Sequence, residues 1–121
     1  SYVTIETFAG QLKNQTIKIT AEQGLSATQQ QIQSEILNAY NTYQTEKQNL
    51  KNFDVVLNQS ESILSSIRYS YLRGGTTIID YLEAQRSWLD TKQQYYQTLQ
   101  LYRQSYIQLL YTSGLINQMA N

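Results

Sequence analysis

The chain has 121 residues, with nine basic and nine acidic side chains and no net charge. That length holds one small domain at most, and the charge balance supplies no sequence-independent attraction to nucleic acid or anionic lipid. With no Cys and no His, disulfides, thiolate catalysis and the common zinc sites are excluded within these residues, and no run of eighteen apolar residues offers a transmembrane helix.

Residues 1–25 stand apart from the rest. Tyr2, Val3, Thr4, Ile5, Glu6, Thr7 and Phe8 alternate apolar and polar types with β-branched enrichment, and Ala9-Gly10 marks a turn. Thr16-Ile17-Lys18-Ile19-Thr20 is again strand-like. Two readings remain open here, a strand followed by an early helix start and a β-hairpin turning at Ala9-Gly10. Ser26-Ala27-Thr28-Gln29 then has the Ser-x-x-Gln form of a capping box, predicting a helix start near Ser26.

From there to residue 72 the pattern is heptad. Ile36, Tyr43, Leu50, Leu57, Leu64 and Tyr71 recur every seventh residue, beside a second column of Leu25, Ile32, Ala39, Phe53 and Ile67 that Glu46 and Ser60 interrupt. Such a period keeps an apolar seam on a partner helix. Gly74-Gly75 breaks the pattern, since paired glycines disfavour helix and reach positive φ cheaply. Thr76-Thr77 supplies an N-cap for a return helix, with Asp80 in its first turn, where negative charge suits the helix dipole. Tyr81, Trp88, Tyr95, Tyr102, Leu109 and Ile116 continue the heptads, with Leu82, Leu89, Tyr96 and Leu110 one step over, and Gly114 is the predicted stop. No Pro interrupts either stretch. The expected fold is mostly α: a long antiparallel helical hairpin, or coiled coil, behind a short N-terminal β segment. Its parts are residues 1–25, the long helix 26–72, the turn 73–77, and the return helix and tail 78–121.

The composition of that hairpin is unusual. Gln, Asn, Ser and Thr make up about two-fifths of the chain, eleven residues are Tyr, and charged residues are only 15%. A solvated coiled coil prefers Glu and Lys on its flanks, so amides and hydroxyls suit helices buried on several sides or facing a water-filled lumen.

Candidate sites are few. The aromatic column of Tyr81, Trp88, Tyr95, Tyr96 and Tyr102 could stack nucleic acid or carbohydrate. Basic residues are thin around it, and packing with hydroxyls at a polar edge is the favoured use. Asp80 and Glu83, three apart on one helical face, lack the pocket an acid–base pair needs. Repeated around a symmetry axis they would form a ring selective for cations. Gly74-Gly75-Thr76-Thr77 lacks the strand, spacing and Lys of a phosphate loop. Arg68, Arg73 and Arg86 lie near the turn, where salt bridges to Asp80 or Glu83 are expected over partner docking.

The order Tyr71-x-x-Gly74-x-x-Thr77-x-x-Asp80-x-Leu82-x-Ala84-Gln85, then a long amphipathic helix ending in Ser113-Gly114, resembles the TolC-like outer membrane efflux proteins. Ile36-Leu37-Asn38-Ala39-Tyr40 looks like a recurring segment of that family's preceding long helix, and residues 3–11 like its final barrel strand and the turn into the periplasmic helix. The resemblance covers nearly the whole chain but one of the family's two repeats. It implies a homotrimeric channel-tunnel of Gram-negative bacteria, with a barrel in the outer membrane and a helical duct across the periplasm, and this segment mostly periplasmic. It further implies that Leu72, Arg73, Gly74, Gly75, Thr76 and Thr77 form the entrance tip that meets a periplasmic adaptor protein, itself coupled to an inner-membrane pump. Asp80 and Glu83 match acidic residues lining the constricted entrance. The glycine pair departs from a single glycine followed by a larger residue, and Glu83 stands where TolC has Asp.

The expectation is therefore a non-enzymatic wall segment of an export channel for small molecules, with no cofactor, no metal and no nucleic acid. Two alternatives stand beside it: a periplasmic adaptor's helical hairpin, which should carry lipoyl-like β segments on both flanks, and a stand-alone structural coiled coil.

Overall fold

The computed structural model describes residues 26–120, of which 113 and 115–120 by backbone only, together with Thr7, Gly10, Gln11 and Asn14. The strand-like stretches 2–8 and 16–20 lie outside the described residues except for Thr7, which is helical, as are Gly10, Gln11 and Asn14. No strand occurs among the described residues. Two helices make up the rest, α1 over Ala27–Leu72 with 46 residues and α2 over Ile78–Ala120 with 43 residues.

Local chemistry sets three of their four ends. At the start of α1 the capping box closes reciprocally: Ser26 N–H donates to Gln29 Oε1 at 2.9 Å, and Gln29 N–H donates to Ser26 Oγ at 3.2 Å. Two donors with no partner inside the helix are thereby satisfied. At its end, Gly75 N–H donates to the Ser70 carbonyl at 2.8 Å and Gly74 N–H to that of Tyr71 at 3.0 Å. These 6→1 and 5→2 bonds form a Schellman motif, which needs a left-handed residue at its centre. Gly74 takes that place with φ of 76°. The same bonds bring Gly75 so close that a Cβ on it would stand 2.7 Å from Ser70 Oγ, so both glycines have a use. Thr77 then caps α2, its Oγ1 accepting from Asp80 N–H at 3.2 Å.

The fourth end departs from expectation. α2 does not stop at Gly114 but continues to Ala120, and Gly114 lacks the positive φ of a terminating glycine. A glycine inside a helix costs only about 1 kcal/mol, which neighbouring helix-formers such as Leu115, Gln118 and Met119 offset without a Pro to enforce a break.

The chain divides into two compact units, residues 1–45 with 103–121, and residues 46–102. In the first, Ile36, Ala39 and Tyr43 of α1 are buried with Ser105, Leu109 and Thr112 of α2, and the rings of Tyr43 and Tyr106 lie 6.5 Å apart. In the second, Lys47 and Leu50 are buried with Thr98 and Tyr102. Towards the turn, Phe53, Leu57, Leu64 and Ile67 of α1, and Tyr81, Trp88 and Tyr95 of α2, are half-buried. The helices of this unit run antiparallel: Tyr71 meets Tyr81 beside the turn, with rings 5.3 Å apart, and Glu61 meets Trp88 further from it.

The inner face of α2 differs from the pattern of large residues. Leu82, Leu89, Tyr96 and Leu110 are exposed. The companion of the aromatic column is instead Ala84, Thr91 and Thr98 in the second unit, half-buried to buried, and buried Ser105 and Thr112 in the first. A one-residue step turns about 100° around a helix, whereas a step of three or four returns to the same face. Hydroxyls are tolerated in that seam because they bond back to their own helix. Thr91 Oγ1 donates to the Ser87 carbonyl at 2.9 Å, and Thr112 Oγ1 to those of Gln108 and Leu109 at 3.1 and 3.0 Å.

Candidate functional site at the interhelical turn

The turn between α1 and α2 presents a hydrogen-bonded backbone with exposed side chains of three kinds. Leu72 is 72% exposed, as expected of an apolar residue that no seam position claims. Arg73 is exposed, and its guanidinium carbon sits 4.2 Å from the centre of the Tyr69 ring, an attraction worth about 0.5–1 kcal/mol at an exposed site. Ion pairing was the expectation for the arginines. No salt bridge joins Arg68, Arg73 or Arg86 to Asp80 or Glu83 among the described residues. A ring four residues back on the same helical face costs Arg73 less side-chain freedom than reaching across the turn.

Asp80 is tied to the turn that precedes it. Its Oδ2 accepts from Thr76 Oγ1 at 2.9 Å, while its N–H donates to Thr77 Oγ1. Hydrogen bonds from the Thr76 and Thr77 hydroxyls hold its carboxyl below the ordinary aspartate value of 3.8, because they favour the charged form. Asp80 is therefore an anion at any physiological pH, at a helix N-terminus that suits it. Glu83 is one turn further along α2, exposed, with no hydrogen bond or ion pair among the described residues. The two carboxylates predicted as a pair thus share a helical face but not a role: Asp80 braces the turn, and Glu83 is open to solvent.

Beyond the turn, Trp88 Nε1–H donates to Glu61 Oε1 over a long 3.4 Å, and Lys92 Nζ sits 4.7 Å from the Trp88 ring centre. Neither contact was anticipated. The i, i+4 spacing of Trp88 and Lys92 could have signalled the second, whereas the first depends on the helices' register. Four of the five aromatic residues face inward, half-buried at Tyr81, Trp88 and Tyr95 and buried at Tyr102, and pack rather than offering a stacking platform, whereas Tyr96 is exposed, with its ring 5.5 Å from that of Tyr95.

In the first unit, Glu35, Asn38, Ala39, Thr42, Ser105 and Gln108 line a groove of about 270 Å³. Opposed small residues, Ala39 and Ser105, leave that notch, and amides and a hydroxyl border it. Among the described residues no group of His, Cys, Asp and Glu side chains could hold a metal ion, and no helix is long and apolar enough to cross a membrane. Chemically the turn offers a hydrogen-bonded anion, a cation stacked on a ring and an exposed leucine, all groups suited to non-covalent contact.

The family model for outer membrane efflux proteins matches residues 4–115. No curated protein and no solved structure matches the chain. The matched span contains both helices up to the last turns of α2, the glycine turn and both carboxylates. The chain belongs to the outer membrane efflux protein family, whose members are channels rather than enzymes.

Proposed function

We propose that this chain is a wall segment of a trimeric channel-tunnel that exports small molecules across the periplasm and outer membrane, with residues 72–77 at its periplasmic entrance. The observation that carries this reading is the fixed anion of Asp80 at a braced, glycine-built turn between two long helices, in a chain of the efflux protein family. Three copies around an axis turn Asp80 and Glu83 into a ring of carboxylates, which concentrates cations at a constriction. Leu72, Arg73, Gly74, Gly75, Thr76 and Thr77 are the surface offered to a periplasmic adaptor, which links the duct to an inner-membrane pump. The segment itself is mostly periplasmic.

Two further observations support a duct wall. Passage requires weak contacts all along the path, and a surface rich in amides and hydroxyls, such as the groove bordered by Asn38, Thr42, Ser105 and Gln108, supplies them. In the second unit the seam residues towards the turn, such as Leu64, Ile67 and Tyr81, are only half-buried, whereas the buried ones, Lys47, Leu50, Thr98 and Tyr102, lie at the far end. Sparse packing marks the part of a structure that opens at least cost, so adaptor engagement splays the turns first. The family match weighs against an adaptor hairpin and against a stand-alone coiled coil.

The test is single-channel recording of the full-length channel in planar bilayers. Asp80→Ala combined with Glu83→Ala is expected to alter cation block and conductance. If neither changes, the acidic ring is wrong.

A further inference from the structure

Beside the turn two phenol rings meet, one from each helix. Tyr71 sits in the last turn of α1, where its carbonyl accepts from Gly74 N–H at 3.0 Å, and Tyr81 in the first turn of α2, where its N–H donates to the Thr77 carbonyl at 3.2 Å. Hydrogen bonds of the turn therefore hold the backbone of both residues. Their ring centroids lie 5.3 Å apart with the planes tilted by 54°, within the range at which aromatic rings touch. Tyr71 is 36% exposed and Tyr81 is half-buried, so the pair faces solvent as well as itself. Rotation of an exposed ring takes picoseconds to nanoseconds, which lets the edges of the two rings come into register.

Other tyrosines lack one of these features. Tyr43 and Tyr106 are 6.5 Å apart, but Tyr43 is 0% exposed and out of an oxidant's reach. Tyr95 and Tyr96 are 5.5 Å apart and edge-on, yet they are neighbours on one helix, which points their side chains about 100° apart. Tyr69 is exposed, but the Arg73 guanidinium lies over its ring, and a cation there opposes loss of an electron. We propose that Tyr71 and Tyr81 are a site of oxidative cross-linking, where a one-electron oxidant joins the two rings and so ties α1 to α2 beside the turn. Each phenol gives up one electron to the oxidant and its hydroxyl proton to water. The two phenoxyl radicals then combine through a carbon–carbon bond between positions ortho to the oxygens, and the hydrogen on each of those carbons moves to its oxygen, restoring both phenols. Two equivalents of oxidant are reduced and two protons released. Proximity already paid for by the fold favours this coupling over one between separate molecules. The bond falls where the seam of the second unit is only half-buried.

The test oxidises the 121-residue chain with a photo-oxidised ruthenium bipyridine complex and persulfate, and reads the tryptic peptides by mass spectrometry. Trypsin cuts after Arg68, Arg73 and Arg86, so Tyr71 and Tyr81 fall in separate peptides, 69–73 and 74–86. The expected product is those two peptides joined, at their summed mass less two hydrogens. An equal mixture of ordinary and isotopically heavy chains should give joined peptides of one isotopic kind, as a bond within one chain requires. Tyr71→Phe keeps the ring but removes the phenol, and should abolish the product while far-UV circular dichroism stays at wild type. Tyr69→Phe should leave the product in place. A wild-type chain that yields no joined peptide overturns the proposal. So does a joined peptide that survives Tyr71→Phe, disappears with Tyr69→Phe, or mixes the two isotopic kinds. None of these outcomes bears on the conductance of the Asp80 and Glu83 variants, so the two readings fail separately.

Discussion

Leu109 and Leu110 are adjacent in sequence and identical in type, yet they occupy different surroundings, so truncating each to alanine tests the seam directly. Leu109 is 0% exposed and Leu110 is 40% exposed. Removing a fully buried leucine loses its transfer free energy and leaves a cavity, together about 2–5 kcal/mol. At Leu110 part of the side chain already meets water and no enclosed cavity forms. The loss there is about 1 kcal/mol or less, reduced further by alanine's better helix propensity. With unfolding entropy near 2.1 cal/mol/K per residue, a chain of this size shifts by about 4 °C per kcal/mol. Leu109→Ala is thus expected to lower Tm by about 8–20 °C and Leu110→Ala by no more than about 4 °C. Thermal melts at 222 nm, at the lowest workable concentration to suppress association, read the difference. Equal losses, or a larger one at Leu110, would refute the placement of Leu109 and the hydroxyl column on the inner face of α2.

Two further changes probe the turn by the same melt. Gly74→Ala places a Cβ on a residue at φ 76°, costing about 1–2 kcal/mol, of which about 0.4–1 is returned by a stiffer unfolded chain. A net fall of about 4 °C is expected, and Gly74→Asn should fall less, because asparagine tolerates left-handed backbone. Asp80→Asn should show its effect through pH. The carboxyl's value is depressed on folding, so its contribution is fully present above the ordinary 3.8 and disappears as pH falls through the lowered value. The Tm difference between wild type and Asp80→Asn should therefore be constant near neutrality and close below pH of about 4, and a difference that persists in acid contradicts the Thr76 and Thr77 bonds as its source.

The helical hairpin was legible because it is written in large side chains at fixed spacing. Ile36, Tyr43 and Leu50 are buried as their heptad requires, and so is the interleaved Ala39. The Ser26–Gln29 cap and the Thr77 cap were legible for another reason: each is closed by groups within four residues, so the whole motif lies in a short stretch of sequence. The second column of α2 was not, because residue type alone ranks Leu82 and Leu89 above Thr98 and Ser105. What decides the matter is angle around the helix together with the ability of a hydroxyl to satisfy itself on a carbonyl one turn back. Lys47 hid in the same way. It is 3% exposed in spite of its charge, and burial together with nearby Lys51 lowers its pKa from 10.5, while its long apolar stem fits a seam as a leucine's would. Near the turn, counting charges suggested ion pairs for Arg73, and the Tyr69 ring four residues away took it instead.

The structure also separates two carboxylates that spacing alone treats as equivalent. A change at Asp80 removes an anion, but it also removes the acceptor of the Thr76 hydroxyl and disturbs the first turn of α2. Any effect of Asp80→Ala on a channel entrance therefore mixes lost charge with altered turn geometry. Glu83 carries no such burden, being exposed and without hydrogen bonds among the described residues, so Glu83→Gln subtracts charge and leaves the turn as it is. If an acidic ring governs cation block, Glu83→Gln should weaken block while adaptor contact and thermal stability stay at wild-type levels. If the turn's shape governs the entrance instead, Thr76→Val, which keeps every charge but removes the brace on Asp80, should have the larger effect. The ratio of those two responses assigns the entrance to electrostatics or to backbone geometry, a distinction that the paired variant alone leaves open.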